Sequence, residues 1–124
     1  MKPALSIPPF LVLVGIMASA DDFRRVALSF PGVEESSHMK HPDFRVAGKV
    51  FATLGYPSGD WGMVQLMPEQ QEDFMSLAPE VFEPASGAWG RKGSTLVKLE
   101  AVTDDLLETA LTAAWRRRVP RDEA

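Results

Sequence analysis

Positively charged side chains are concentrated in two short segments, and side chains of this kind bind phosphate groups. The segment from residue 86 to residue 99 contains no acidic residue. Its cations are Arg91, Lys92 and Lys98. The second segment, around a predicted hairpin, contains one acidic residue, Asp43. Its cations are Lys40, Arg45 and Lys49.

A glycine-rich loop and a hairpin turn would hold these cations if both protrude on the same side of the molecule. The loop is predicted over residues 79–93, which contain two Pro and three Gly, and the turn at Gly48-Lys49. In such protruding segments, cations and backbone N–H groups can contact phosphates without recognising the base sequence. Trp89 adds a surface for stacking on a base or sugar, and His41 lies beside the hairpin. The pattern predicts weak, nonspecific DNA binding, with a dissociation constant of about 10⁻⁴ to 10⁻⁶ M.

Each of these residues also has an ordinary structural interpretation. Arg45 and Lys49 can be solvated strand positions paired with acids on a neighbouring strand. Trp89 can be a hydrophobic plug that fixes the loop to the core. Arg91 and Lys92 can belong to a solvated loop tip. The sequence leaves these alternatives open.

Residues that could support catalysis or metal binding do not form a recognisable motif. His38 and His41 lie three residues apart with Asp43 nearby, but no further histidine exists to complete a metal site. Ser36 and Ser37 precede His38 without a nucleophile elbow or a clear orienting carboxylate. The chain also has no phosphate-cradling or dinucleotide glycine motif. We therefore expect a protein that is not an enzyme and has no cofactor and no metal.

Composition places the chain among ordinary globular proteins. Its 124 residues are 45% hydrophobic and 24% charged, and the formal net charge is -4, which argues against coating nucleic acid by bulk charge. The absence of cysteine excludes disulfides and thiolate chemistry. Residues 1–16 are predicted to be an extension, either upstream translation or a signal-like segment, and their apolar run is too short for a membrane span. Residues 17–124 are predicted to form one domain with no membrane partner.

Hydrophobic periodicity and capping residues predict seven elements in the order α-β-β-β-α-β-α. Ser19 and Thr103 are candidate N-caps, and Pro68 suits the first turn of a helix. The order predicts an α+β domain in which helices pack on an antiparallel sheet. The predicted elements are a helix over 19–30, strands over 44–47, 50–54 and 61–67, a helix over 68–78, a strand over 94–100 and a helix over 103–118.

Three separated segments resemble the MmcQ/YjbR family in sequence, order and spacing. They are residues 30–35 (FPGVEE), 41–52 (HPDFRVAGKVFA) and 87–99 (GAWGRKGSTLVKL). The similarity extends from about residue 21 to residue 119. The resemblance implies a CyaY-like, double-wing α+β fold and a cytoplasmic protein of a family usually described as DNA-binding.

Two functions are consistent with the sequence. The first is weak, nonspecific DNA binding through the hairpin and the glycine-rich loop. The alternative is a small non-enzymatic binding or adaptor module, in which a cleft between Trp89, His41 and the sheet takes a small ligand or a protein partner. Salt separates the two, because phosphate binding weakens steeply with salt and an apolar cleft hardly responds. The candidate nucleic-acid contacts are Lys40, His41, Arg45, Lys49, Trp89, Arg91, Lys92 and Lys98.

Overall fold

Four helices and six strands follow one another in residues 18–120, the part of the chain that the computed structural model describes. The predicted extension over residues 1–16 lies outside the described residues. No helix within them is both long and apolar enough to cross a membrane. The elements are α1 (Ala20–Ser29), β1 (Val33–His38), β2 (His41–Val46), β3 (Lys49–Leu54), β4 (Trp61–Gln65), α2 (Pro68–Leu77), β5 (Phe82–Pro84), α3 (Gly87–Arg91), β6 (Ser94–Lys98) and α4 (Asp104–Arg118).

The six strands form one antiparallel sheet in the order β1-β2-β3-β4-β6-β5. Helices α1 and α4 pack against β3 and against each other. The rings of Phe30 and Trp115 stack with centroids 5.5 Å apart, which joins the end of α1 to the end of α4. The predicted α+β fold with an antiparallel sheet is confirmed.

Two helices begin at the capping residues that the sequence predicts. The Ser19 hydroxyl accepts a hydrogen bond from the backbone N–H of Asp22, and the Asp22 carboxylate accepts one from the backbone N–H of Ser19. The hydroxyl of Thr103 accepts in the same way from Leu106. Each side chain satisfies a backbone donor that the helix leaves unpaired. Pro68 occupies the first turn of α2, as predicted.

Three elements were not predicted, because their sequences lack the pattern of a buried face. Strand β1 has one half-buried residue, Val33, and five exposed ones, so backbone pairing with β2 stabilises it more than side-chain burial. Strand β5 has only three residues and lies at the opposite edge of the sheet. The predicted loop over residues 79–93 is therefore wrong in part, since it contains both β5 and the single helical turn α3.

A turn and a bulge shape the centre of the sheet. Ala47 and Gly48 connect β2 to β3 with φ angles of 53° and 78°, as in the tight turns that match strand twist. Lys49 is the first residue of β3 rather than part of the turn. The pairing of β2 with β3 then shifts between Phe44 and Arg45. The resulting β-bulge changes which side chains of β3 share a face.

Candidate ligand-binding cleft

A cleft of about 580 Å³ lies between one face of the sheet and the segment that leads into α3. Its volume falls within the range of small-molecule sites. Because of the bulge, Val50 and Thr53 both line it, although residues three apart on a regular strand point to opposite faces. The complete lining is His38, Met39, His41, Arg45, Val50, Thr53, Tyr56, Met63, Gln65, Ala85, Ser86 and Trp89.

A hydrogen-bonded cluster centred on Asp43 forms the polar part of this face. The Asp43 side chain is 0% exposed, and its Oδ1 accepts from Arg45 Nε at 2.8 Å. Its Oδ2 accepts from Arg45 Nη2 at 3.0 Å and from His38 Nδ1 at 2.6 Å. The hydrogen bonds from Arg45 hold the pKa of Asp43 below its usual value, against the opposing effect of burial. A buried carboxylate therefore fixes both Arg45 and His38 in place.

Aromatic and apolar side chains surround this cluster. Trp89 is 73% exposed and Met39 is 86% exposed, and both line the cleft. The rings of His41 and Tyr56 meet edge to face with centroids 5.6 Å apart. Large apolar side chains that remain exposed at a concave surface are typical of binding sites rather than of a packing role.

Three of the eight predicted nucleic-acid contacts line the cleft: His41, Arg45 and Trp89. The other five, all cations, lie outside it at the two ends of the sheet. Lys49 begins β3, and Arg91 and Lys92 precede β6 at this same end. The remaining two, Lys40 before β2 and Lys98 at the end of β6, lie at the opposite end. A six-residue strand is about 17 Å long, so the cations are not gathered in one patch.

The structure corrects three interpretations of single residues. Trp89 does not plug the core, because most of its surface is exposed. Arg45 pairs with Asp43 on its own strand rather than with an acid on a neighbouring strand. His38 does have an orienting carboxylate, Asp43, which reaches it across the β1–β2 pair. The sequence hides this contact because β1 has no recognisable strand pattern.

Comparison with known proteins agrees with this architecture. The family model described as YjbR matches residues 28–117. The chain belongs to the YjbR family. The resemblance that the sequence predicts, to the MmcQ/YjbR family, is thus confirmed.

One solved structure supports the same fold. The chain is similar to the crystal structure of Deinococcus radiodurans protein DR2400, which contains the DUF419 domain, with a TM-score of 0.70 and 19% sequence identity. The similarity covers 86% of each chain. The chain matches no curated protein. Family and fold are therefore established, and the activity has to be argued from the chemistry of the cleft.

Several residues of the cleft carry no sequence signal of their own. Asp43 appears in the sequence as the acid that reduces the charge of a basic segment and as a neighbour of two histidines, whereas the fold makes it the centre of the polar cluster. In the sequence, Thr53 and Gln65 have no feature that distinguishes them from other strand residues. The His-Pro-Asp-Phe-Arg segment places an acid two residues before Arg45, which is the one sequence signal for part of this cluster.

Proposed function

We propose that this protein is a non-enzymatic binding module whose cleft takes a small, planar organic ligand. This is the second of the two functions that the sequence suggests. Two other sequence-based expectations stay part of the proposal, a cytoplasmic location and the absence of a resident cofactor or metal.

One observation carries the proposal: exposed apolar side chains converge on a single concave site. Among residues 18–120, six large hydrophobic side chains are exposed, and three of them line the cleft. These three are Met39, Tyr56 and Trp89. An indole that is mostly exposed above an apolar floor offers a stacking surface to a planar molecule. The Asp43 cluster at the same site supplies the few oriented polar groups that small-molecule sites use for specificity.

The experiment is a fluorescence titration of the full chain with anilinonaphthalene sulfonate, a dye with a planar naphthalene ring that brightens in apolar surroundings. We expect saturable binding to the native protein. Trp89→Ala should weaken it about tenfold, since an aromatic contact adds about 0.5–1.5 kcal/mol beyond area burial. Circular dichroism should show an intact fold in this variant, because the Trp89 side chain is mostly exposed.

Leu77→Ala is the matched control for the loss of an exposed apolar side chain. Leu77 is 69% exposed on α2 and does not line the cleft. Its removal should leave dye binding unchanged. The absence of saturable binding to the native protein would contradict the proposal, as would equal loss of binding in Trp89→Ala and Leu77→Ala.

Nucleic-acid binding is a second proposal, supported by the exposed cations at one end of the sheet. Lys49 begins β3 and Lys92 lies two residues before β6, and these two strands are two places apart, about 10 Å across the sheet. Arg45, in contrast, already neutralises Asp43. Binding through Lys49, Arg91 and Lys92 would be weak and would weaken further as the salt concentration rises.

Fluorescence anisotropy with labelled duplex and single-stranded DNA tests the second proposal. It predicts binding at low salt, loss of binding at moderate salt, and loss of binding in a variant with Lys49, Arg91 and Lys92 changed to Ala. If the unchanged chain does not bind either DNA at low salt, this proposal is wrong, and the cleft proposal is unaffected.

A further inference from the structure

We infer that the ligand of the cleft is an aromatic molecule with a hydrogen-bond donor, a ring O–H or N–H, which the Nε2 atom of His38 accepts. This inference names the ligand class for the proposed cleft and therefore rests on the proposed function. It follows from the way the Asp43 cluster fixes one histidine.

The buried carboxylate determines which nitrogen of His38 has the proton. An ionised carboxylate only accepts hydrogen bonds, so His38 Nδ1, at 2.6 Å from Asp43 Oδ2, must be the donor. In the neutral imidazole, Nε2 is then the acceptor. The His38 side chain is 44% exposed and lines the cleft, so this acceptor remains available to a ligand.

Two other acceptors on or beside this face, Asp43 and Gln65, are already occupied. Both oxygens of Asp43 accept hydrogen bonds from within the protein. The amide oxygen of Gln65 accepts from the hydroxyl of Ser94 at 2.8 Å. His38 Nε2 is therefore an oriented acceptor at the border of an apolar surface, where a hydrogen bond contributes more than it does in water.

His41 provides an internal comparison, because it lines the same cleft without this constraint. No carboxylate within residues 18–120 forms an ion pair with His41, and its ring contacts Tyr56 instead. Either nitrogen of His41 can hold the proton, so this residue does not favour a donor over an acceptor. The Thr53 hydroxyl, which lines the cleft and has no hydrogen-bond partner within residues 18–120, can donate or accept and also favours neither. The preference for a donor is thus expected to depend on His38 and Asp43.

A pair of ligands tests the inference, because one has an O–H donor where the other has a methoxy group. The full chain, labelled with ¹⁵N, is titrated with 2-naphthol and with 2-methoxynaphthalene at about pH 8, where an ordinary imidazole is neutral. We expect both to bind in the cleft and 2-naphthol to bind about tenfold more tightly, the ratio expected for one hydrogen bond. His41→Phe should keep that ratio.

His38→Phe should reduce the ratio to about one, because phenylalanine keeps the ring and removes the acceptor. Asp43→Asn should also lower the ratio, because the asparagine amide can donate to His38 Nδ1. The proton of His38 can then move to Nε2, which no longer has to be the acceptor. If Asp43→Asn does not fold, His38→Phe at the exposed end of β1 still decides the question.

The outcomes separate this inference from the proposed function. Equal binding of the two ligands to the unchanged chain would overturn the inference and leave the cleft proposal standing. A ratio that persists in His38→Phe would also overturn it. Failure of both ligands to bind would contradict the proposed function, and the inference with it.

Discussion

Replacing Asp43 by asparagine tests whether this carboxylate organises the cleft, as the structure indicates. The substitution keeps the shape of the side chain and removes the charge that accepts two hydrogen bonds from Arg45 and one from His38. A hydrogen bond to a charged group contributes about 1.5–3 kcal/mol net, and removing one partner of a fully buried ion pair costs about 3–5 kcal/mol.

The expected cost lies below the upper end of that range for a structural reason. The Arg45 side chain is 36% exposed and that of His38 is 44% exposed, so both can turn towards water when the charge is removed. Asparagine also keeps one acceptor oxygen. We therefore expect a loss of about 2 kcal/mol in the free energy of unfolding. For a domain of this size that corresponds to a fall of about 8 °C in Tm.

The dependence on pH gives a second measure of the same contact. The pKa of Asp43 is lowered in the folded protein, chiefly by its hydrogen bonds from Arg45. Its contribution to stability is therefore complete above the unfolded-state pKa of about 3.9 and is lost as the pH falls through the lower, folded-state pKa. The difference in stability between the unchanged chain and Asp43→Asn should therefore shrink as the pH falls below about 4.

Urea unfolding followed by circular dichroism measures both quantities. Asp73→Asn is the matched control, because it makes the same chemical change at an exposed position of α2 and should leave the stability unchanged within about 0.5 kcal/mol. The reasoning is refuted if the two variants are equally stable at pH 7. It is also refuted if the cost of Asp43→Asn is undiminished in acid.

Three further changes have calculable effects on stability. Thr53→Val replaces a buried hydroxyl that has no hydrogen-bond partner within residues 18–120 and should raise Tm by about 4 °C; a lower Tm would show that the hydroxyl is satisfied. Gly93→Ala should cost at least about 3 kcal/mol in urea unfolding, because Gly93 has a φ of 112° and an added Cβ would collide with the carbonyl oxygen of Leu66; a near-native stability would contradict this packing. Ser19→Ala should cost about 1 kcal/mol by removing the capping box with Asp22, and a thermal melt unchanged from that of the parent chain would argue against the cap.

Much of the fold could be predicted because its main elements have strong local signals. Short stretches of sequence are enough to recognise the helix caps at Ser19 and Thr103 and the apolar periodicity of α4. Strands β3, β4 and β6 have enough apolar residues to be recognised. The edge strands β1 and β5 were missed because an edge strand needs only one backbone partner and little burial.

The site was predicted less completely, because it depends on contacts between strands. The sequence identifies Trp89 and His41 as the borders of a cleft, and both line it. It cannot show that His38 and Asp43 meet, since their contact requires β1 to pair with β2 in one particular register. It also cannot show the bulge that turns Val50 and Thr53 towards the same face.

The central claim is that the cleft on one face of the sheet holds a small planar ligand. It is tested most directly by mapping where such a ligand binds. Backbone amide shifts of the ¹⁵N-labelled full chain are recorded during titration with 2-naphthol at low and moderate salt. We expect saturable shifts confined to residues 38–45, 50–56, 63–65 and 85–89, with an affinity that salt hardly changes. Shifts confined to the polar groove between α2 and α4, near Gln70 and Arg116, or no saturable shifts at all, would contradict the account.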